Sequence, residues 1–470
     1  MTRGFPRLTA TFCLAAVTCA AGSPWSGFRG DGTSVTTARN LPEQWSETNQ
    51  VAWRVALPGS GQSSPIIWGT NAYVTSAIGP RKEKLVVQAL DLIHGREVWR
   101  FSIGSSAPEA VSDTRSHASP TPVADVDGVF ALFESGDCIA LGHDGKLRWK
   151  SNTSESAGKV ESNHGLGGSP ILFERALLIP LDQAGPSCLL ALDRTKGTVL
   201  WKAARKDSTS WSSPVVVRRQ DAPVVVLSGG GTVAGYDPET GTFKFEITGL
   251  VKNTVPSPTL SGTSLVIGAS SKGSNLALDM RGVSSREPSI LWRSDTATCG
   301  FASPLVHRGR AYFVSRNGVL ACLNAENGAL LFEERLAEGA WASPIGAGDR
   351  VYIFGEKGAT TVLAAGDQFA LLHVNQDVDQ AVRQSQVCGV HTLEDASPYA
   401  IRASLGGKRL RSVEKHNVDD RGFGKGIRRR EFSSLGAHAR LGNPRDVRPR
   451  RHRLVCDAAA EQRTRRTCLG

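Results

Sequence analysis

Residues 87–99 read VQALDLIHGREVW, and residues 189–201 read LLALDRTKGTVLW. In both stretches an apolar run ends in aspartate, a glycine follows four positions later, and a tryptophan follows four positions after the glycine. An aspartate side chain bonds nearby backbone amides, and glycine takes the positive φ that closes a tight loop. The unit therefore predicts a hairpin, with turn residues that we expect to be Asp91, Asp193, Asp237, Asp279, Gly95, Gly145, Gly197, Gly241 and Gly328.

The same chain carries a second repeated feature, a Ser-Pro pair followed by a short β-branched or apolar run. The pairs begin at Ser64, Ser119, Ser169, Ser213, Ser257, Ser303 and Ser343. Successive starts are separated by 55, 50, 44, 44, 46 and 40 residues. Such a period is long enough for four short strands and their turns, which is one blade of a β-propeller. The sequence thus predicts an all-β propeller of four-stranded blades with seven recognisable repeats.

One aromatic residue per repeat opens the strand that follows the hairpin. We expect these aromatics to pack between adjacent blades, and they are Trp99, Trp149, Trp201, Phe245, Trp292 and Phe332. A cofactor platform is the alternative reading of a tryptophan in each repeat. Because the aspartates and glycines are explained by turns, no catalytic, cofactor-binding or metal residue is assigned.

The two ends of the chain differ from its middle. Arg3 and Arg7 precede an apolar stretch with small residues at positions 20–22, which predicts a signal peptide over residues 1–22 and an exported protein. Cys19 leaves open a lipoprotein instead of a free protein. The predicted propeller spans residues 23–375, and residues 376–470 form an arginine-rich tail.

Most of the positive charge lies in that tail. Residues 371–470 hold 20 Lys and Arg against 11 Asp and Glu, a net charge of +9, which leaves +2 of the total +11 for residues 1–370. The predicted propeller is nearly neutral, so basicity does not indicate nucleic-acid binding by it. For the tail, three alternatives stay open: a basic arm that binds anions, a disordered or degenerate last blade, and a frameshifted coding end.

Other residues with chemical potential are scattered. Cys138, Cys188 and Cys322 precede predicted turns in separate repeats and are expected to be small buried hydrophobes. The set His117, His143 and His164 is too dispersed to indicate zinc. Residues 125–128 (DVDG) resemble half a calcium loop but lack the distal ligand, which favours a β-turn.

The N-terminal part of the predicted propeller carries more specific motifs. These are Phe28-Arg29-Gly30-Asp31-Gly32, Leu41-Pro42-Glu43-Gln44-Trp45-Ser46, Val51-Ala52-Trp53-Arg54, and the stretches His117–Pro122 and His164–Pro170. Together with the hairpin unit they resemble the PQQ-like (pyrroloquinoline quinone-like) β-propeller repeat proteins, and within them a secreted, BamB-like subgroup. The seven repeats predict seven or eight blades, and the resemblance implies eight, with an N-terminal strand at 51–55 completing the last one. Ser397-Pro398 could open an eighth repeat, yet residues 401–417 lack its pattern.

The resemblance implies a function of one of two classes. The first is an exported, non-catalytic, monomeric scaffold that binds a protein or cell-envelope partner through its loop faces. The second is a PQQ-dependent dehydrogenase-like quinoprotein, which needs calcium and usually an adjacent cysteine pair, and the sequence has no Cys-Cys pair. We therefore expect no cofactor. Insertions at 79–84, 104–115 and 280–290 are the loops where we expect the partner surface.

Overall fold

The computed structural model describes residues 25–376, except 39–40, 47–48, 111–115, 163, 219–221, 252–254 and 284–286, together with the backbone of 390–391 and 399–404. The predicted signal peptide and nearly all of the predicted tail lie outside the described residues. Two short strands open the described chain, β1 (Val35–Thr36) and β2 (Trp53–Ala56).

Seven sheets of four consecutive antiparallel strands follow, and we number them as blades one to seven. Blade one contains β3 (Ile66–Trp68), β4 (Asn71–Ile78), β5 (Lys84–Asp91) and β6 (Glu97–Gly104). Blade two contains β7 (Val123–Asp125), β8 (Gly128–Leu132), β9 (Asp137–Leu141) and β10 (Leu147–Asn152). Helix α1 (Ser154–Ala157) comes next, the one helix among the described residues. Blade three contains β11 (Ile171–Phe173), β12 (Ala176–Leu181), β13 (Ser187–Asp193) and β14 (Val199–Arg205).

The later blades repeat this order. Blade four contains β15 (Val215–Val217), β16 (Val224–Gly229), β17 (Thr232–Tyr236) and β18 (Phe243–Ile247). Blade five contains β19 (Thr259–Ser261), β20 (Ser264–Ile267), β21 (Asn275–Asp279) and β22 (Ser289–Ser294). Blade six contains β23 (Leu305–His307), β24 (Arg310–Val314), β25 (Val319–Asn324) and β26 (Leu330–Arg335). Blade seven contains β27 (Ile345–Ala347), β28 (Arg350–Phe354), β29 (Ala359–Ala364) and β30 (Leu371–Gln376), and β1 adds to it in parallel with β27.

An eighth sheet closes the series. In it β2 pairs in parallel with β32 (Tyr399–Ser404), which pairs with β31 (Val390–His391). The N-terminal completing strand was predicted at 51–55 and lies at Trp53–Ala56. A strand follows the Ser397-Pro398 pair that could open an eighth repeat, and residues 405–417, which lack the repeat pattern, lie outside the described residues. The all-β propeller fold is confirmed.

The hydrophobic core lies between the blades. One cluster joins Ile66 and Tyr73 of blade one to Val129 and Phe133 of blade two. The rings of Tyr73 and Phe133 are both fully buried. Further clusters join blades three and four, four and five, and six and seven. Because the middle strands of each sheet are covered on both faces, they are nearly continuous apolar runs such as Val224–Gly229.

Each blade begins with a buried hydroxyl that links it to its neighbour. The amide N–H of Ser169 donates to the hydroxyl of Ser213 at 2.9 Å, and the amide of Ser213 donates to Ser257 at 2.8 Å. The same bond recurs at every junction from blade one to blade seven, at 2.8–3.0 Å. We call this set the hydroxyl ring: Ser64, Thr121, Ser169, Ser213, Ser257, Ser303 and Ser343.

The hydroxyl ring corrects one prediction. The second Ser-Pro pair was placed at Ser119, but the residue that accepts from Ser64 and donates to Ser169 is Thr121. We call the first strand of each blade its inner strand. The inner strand of blade two, β7, also starts directly after Pro122, as the inner strands of the other blades start directly after their prolines. Two X-Pro pairs, Ser119-Pro120 and Thr121-Pro122, lie two residues apart here. The hydroxyl of Thr121 accepts the bond that a serine hydroxyl accepts in the later blades.

Candidate functional site

The strand order gives the propeller two different faces. Inner strands start at the hydroxyl ring, so the connections between blades and the loops between second and third strands lie at that end, which we call the Ser-Pro face. The turns between first and second and between third and fourth strands lie at the opposite end, the turn face. The insertions at 79–84 and 104–115 belong to the Ser-Pro face, whereas the insertion at 280–290 follows β21 and belongs to the turn face.

The predicted docking tryptophans pack against glycines of the following blade. A β-carbon on Gly145 would lie 2.8 Å from the ring of Trp99, and one on Gly197 would lie 2.6 Å from the ring of Trp149. Trp201 meets Gly241 in the same way, and Trp292 meets Gly328. These four glycines, like Gly95, have φ between +68° and +81°.

Most of these indoles also donate a hydrogen bond to the turn beneath them. Trp99 Nε1 donates to His143 O, Trp149 Nε1 to Arg194 O and Trp292 Nε1 to Ala325 O, at 2.8–3.0 Å. Trp201 Nε1 is buried without a partner among the described residues.

The two predicted phenylalanines pack differently from each other. Phe245 lies against Gly235 of its own blade, and Phe332 makes an edge contact with Phe369 of blade seven at 5.8 Å between ring centroids.

Sequence reasoning missed one member of the tryptophan series. Trp53 lies on β2, packs against Gly95 of blade one, and donates from Nε1 to Leu92 O at 2.9 Å. The sequence did indicate this tryptophan, because Trp53 lies in the strand that was expected to complete the last blade.

The turn aspartates are engaged by their own loops. Asp91 accepts from the amides of Ile93 and His94 at 3.0 and 3.1 Å, and the bond from Ile93 is the main cause that holds its pKa below the usual range. Asp193 and Asp237 accept from amides two and three residues ahead in the same manner. Asp279 accepts from the amide and the guanidinium of Arg281. These four carboxylates lie in four different blades, so they form no common site.

The other dispersed residues are likewise placed by contacts between blades. Asp125 and Asp127, the half calcium loop, both form ion pairs with Arg194 of blade three. His143 Nε2 donates to Asp125 O at 2.7 Å, so in the neutral ring Nδ1 accepts from the hydroxyl of Tyr73 at 2.8 Å. His164 lies beside Trp211, 5.8 Å between ring centroids. No group of three His, Cys, Asp or Glu within the described chain could hold a metal ion.

The described cysteines are buried thiols. Cys138, Cys188, Cys299 and Cys322 are all free and buried. Burial is the main cause that raises the pKa of Cys138 to about 12 and that of Cys188 to about 11. Protonated thiols of this kind are poor nucleophiles and poor metal ligands.

The N-terminal residues 25–36, which we call the plug, contact the inner strands of several blades. The carbonyl oxygens of Trp25, Ser26 and Ser34 accept from inner-strand amides of blades one, two and seven at 2.7–2.9 Å. Gly32 lies next to Val215 of blade four. Since inner strands surround the axis of a propeller, the plug occupies its central channel.

Arg29 is the buried charged residue of the plug, and Asp31 is the exposed one. Its side chain is 5% exposed and donates to Thr259 Oγ1 at 2.7 Å and to Pro258 O at 2.5 Å in blade five. Burial lowers the pKa of Arg29 to about 10, which still leaves the guanidinium charged at neutral pH. The backbone φ of Arg29 is +59°, an unusual conformation for a residue with a side chain.

A second ring of residues lies at the Ser-Pro face, two positions before each member of the hydroxyl ring. We call it the mouth ring: Gln62, Ser119, Gly167, Trp211, Val255, Phe301 and Trp341. Neighbouring members touch at three junctions. Ser119 donates to Gln62 Oε1 at 2.9 Å, Trp211 lies against Gly167, and the rings of Phe301 and Trp341 are 4.5 Å apart.

The mouth ring is asymmetric. On blades one and two it is polar, and the hydroxyl of Ser119 also lies 2.6 Å from the buried carboxylate of Glu134. On blades four, six and seven it is aromatic, and Trp211, Phe301 and Trp341 are half-buried. Arg316, exposed in the β24–β25 loop, places its guanidinium over Phe301, 5.3 Å from the ring centroid. No repeat motif marks these positions, so sequence reasoning did not find them.

Three carboxylates of the Ser-Pro face lack the arrangement of a calcium–quinone pair. Asp182 is buried and paired with Arg205, from Nε at 2.6 Å and from Nη2 at 3.0 Å. Asp137 accepts from Ser106 and Ser135, and Glu338 accepts from the amide of Lys357. Each of these carboxylates already has donors, and they lie in separate blades. Calcium needs six to eight oxygen ligands converging on one point.

Comparison with known proteins agrees with this fold. The family model described as outer membrane protein assembly factor BamB matches residues 18–172, 187–285 and 281–387. The chain belongs to this family. No curated protein matches it significantly.

The solved structures that are similar to this BamB-family chain include a BamB and a quinohemoprotein. BamB from Moraxella catarrhalis has 15% identity and a TM-score of 0.53, covering 73% of this chain and 91% of that one. The quinohemoprotein alcohol dehydrogenase ADHIIG from Pseudomonas putida HK5 has 12% identity and a TM-score of 0.54, covering 78% and 73%. At such identities the likeness concerns the fold alone. No helix among the described residues is long and apolar enough to cross a membrane.

Proposed function

We propose that this chain is an exported, non-catalytic propeller that binds a protein partner of the cell envelope through its Ser-Pro face. The observation that carries the proposal is the asymmetric mouth ring, with its half-buried aromatic residues beside an exposed arginine. Aromatic residues and arginine are the side chains enriched where proteins recognise one another. Membership in a family described as an outer membrane assembly factor supports the envelope setting.

The proposal also holds that the propeller works as a monomer without a quinone or calcium. Two features support this part. On the Ser-Pro face, Asp182, Asp137 and Glu338 each accept hydrogen bonds from the protein, and the plug, with its buried Arg29, occupies the channel. A quinoprotein would instead retain the quinone and oxidise alcohols with an artificial acceptor. Such retention and turnover after reconstitution with quinone and calcium would reject this part of the proposal.

Photocross-linking tests which face binds the partner. We would place p-benzoylphenylalanine at Lys206 or Lys272 on the Ser-Pro face, and at Lys196 or Glu239 on the turn face, all of which are exposed. We expect one discrete cross-linked protein, the same one from both Ser-Pro positions, in cells that express the full chain. Cross-links from the turn-face positions alone would contradict the assignment.

A further inference from the structure

The aromatic half of the mouth ring contains three side chains in contact, which we call the stack. The ring of Trp341 contacts the ring of Phe301, and the guanidinium of Arg316 lies over the ring of Phe301. Arg316 is exposed and makes no ion pair with any described residue, whereas Arg205 on the same face is paired with Asp182. Trp341 Nε1 has no hydrogen-bond partner within the described chain.

The stack therefore offers an exposed positive charge that no described acid neutralises. A guanidinium supplies five N–H donors in a fork that matches a carboxylate. The nearest acid in sequence on this surface, Glu338, accepts from the amides of Lys357 and Ala359 at 2.7 and 3.4 Å. The chemical complement of the stack is a carboxylate attached to an apolar body.

We propose that the mouth binds an internal, extended segment of the partner protein in which an Asp or Glu lies between two aromatic side chains. This inference rests on the proposed function and specifies the partner's chemistry. In an extended segment, residues i−2, i and i+2 point to the same side, about 7 Å apart. The carboxylate pairs with Arg316, one aromatic packs on Phe301 and Trp341, and the other reaches Trp211 beside His164.

The face itself argues for a segment rather than a membrane surface. The aromatic residues line a mouth shared by blades four, six and seven, and the opposite side of that mouth is polar, with Gln62 and Ser119. An extended segment presents main-chain polar groups together with side chains, so it matches a mouth that is polar on one side and aromatic on the other.

Fluorescence anisotropy with the full chain tests the proposal. The probe is fluorescein-labelled Phe-Ser-Asp-Ser-Phe with an amidated C-terminus, compared with Phe-Ser-Lys-Ser-Phe and Ala-Ser-Asp-Ser-Ala. We expect the first peptide to bind at least tenfold more tightly than either control. Arg316→Ala and Trp341→Ala should each weaken the affinity for this peptide at least tenfold. Arg316→Lys should weaken that affinity by a smaller factor.

Arg218 supplies the matched control variant. It is also an exposed arginine over a phenylalanine, 5.0 Å from the ring of Phe173, but it lies at the turn face and 3.7 Å from Glu174. Arg218→Ala should leave the peptide affinity unchanged. Equal binding of the acidic and basic peptides, equal loss in both arginine variants, or displacement of the peptide by equimolar pyrroloquinoline quinone would each overturn the inference. If cross-links still form from Lys206 and Lys272 but the acidic peptide does not bind, the inference about the peptide is rejected and the proposed function is not.

Discussion

The ring of Trp149 occupies the space where a β-carbon of Gly197 would stand, 2.6 Å from Trp149 Cε3. Gly197 also has a φ of +71°. We therefore expect Gly197→Ala to destabilise the fold by about 2–5 kcal/mol, from left-handed strain and overpacking together. Gly262→Ala is the control, since its φ is +57° but nothing lies within 4 Å. It should lose only about 1–2 kcal/mol in denaturant unfolding, and equal losses would contradict the contact.

The hydrogen bonds of the docking indoles can be separated from their packing. Trp149 Nε1 donates to Arg194 O, whereas Trp201 Nε1 is buried without a described partner. Phenylalanine keeps much of the ring contact and removes the N–H. Trp149→Phe should therefore cost about 1 kcal/mol more than Trp201→Phe. The comparison is made by thermal unfolding, and a larger loss for Trp201→Phe would contradict it.

The hydroxyl ring predicts a sensitive serine. Ser213→Ala removes the acceptor of the Ser169 amide and leaves a buried N–H unsatisfied, which should cost about 1–3 kcal/mol. Ser213→Thr keeps a hydroxyl, and Thr121 already serves in the same position of blade two. We expect the threonine variant to retain most of the stability in chemical denaturation. An alanine variant as stable as the threonine variant would show that the amide finds another acceptor.

Two histidines at blade junctions make stability depend on pH. Burial lowers the pKa of His143 and of His307 from the ordinary 6.5, and both donate from Nε2 to a carbonyl of a turn. The unfolded chain therefore binds protons at a pH where the folded chain does not. The free energy of unfolding should be unaffected above about pH 7 and should fall as pH drops below 6.5.

The double variant His143→Gln, His307→Gln tests this dependence, because glutamine keeps an N–H donor and does not titrate. Its unfolding midpoint should fall less between pH 7 and pH 5 than that of the parent chain. Identical pH profiles for the two proteins would assign the dependence to other groups.

The plug predicts where amide protection is lost when it is removed. Deleting residues 1–36 exposes the amides of Ile67, Ala124 and Gly346, which donate to Trp25, Ser26 and Ser34. Hydrogen exchange at these three amides should accelerate by at least tenfold. The inner strand β11 is the internal control, since no plug carbonyl accepts from it among the described contacts. Uniform acceleration over all blades would mean that the deletion unfolds the propeller as a whole.

The fold was predictable because its rules are local and repeat seven times. The Asp-to-Gly turns and the glycine-to-aromatic spacing follow from backbone geometry within about a dozen residues. The register of blade two was not predictable, since Ser119-Pro120 and Thr121-Pro122 compete for one position. A spacing of two preserves the alternation of side chains, so the pattern alone could not choose between them.

The candidate site was less predictable than the fold. The mouth ring holds a different residue type in each blade, from Gly167 to Trp341, so it carries no period in the sequence. Arg29 meets its acceptor Pro258 across 229 positions, and nothing near either residue indicates that contact. Such contacts arise only once the blades have been arranged around the axis.

The plug also sets an order of assembly. Residues 25–36 are synthesised first, yet their acceptors and donors include Pro258 in blade five and Gly346 in blade seven. The complete set of plug contacts can therefore form only after most of the later chain has emerged. Complete docking of the plug is then a late step in ring closure. A factor that binds the N-terminal segment would delay maturation without contacting a blade.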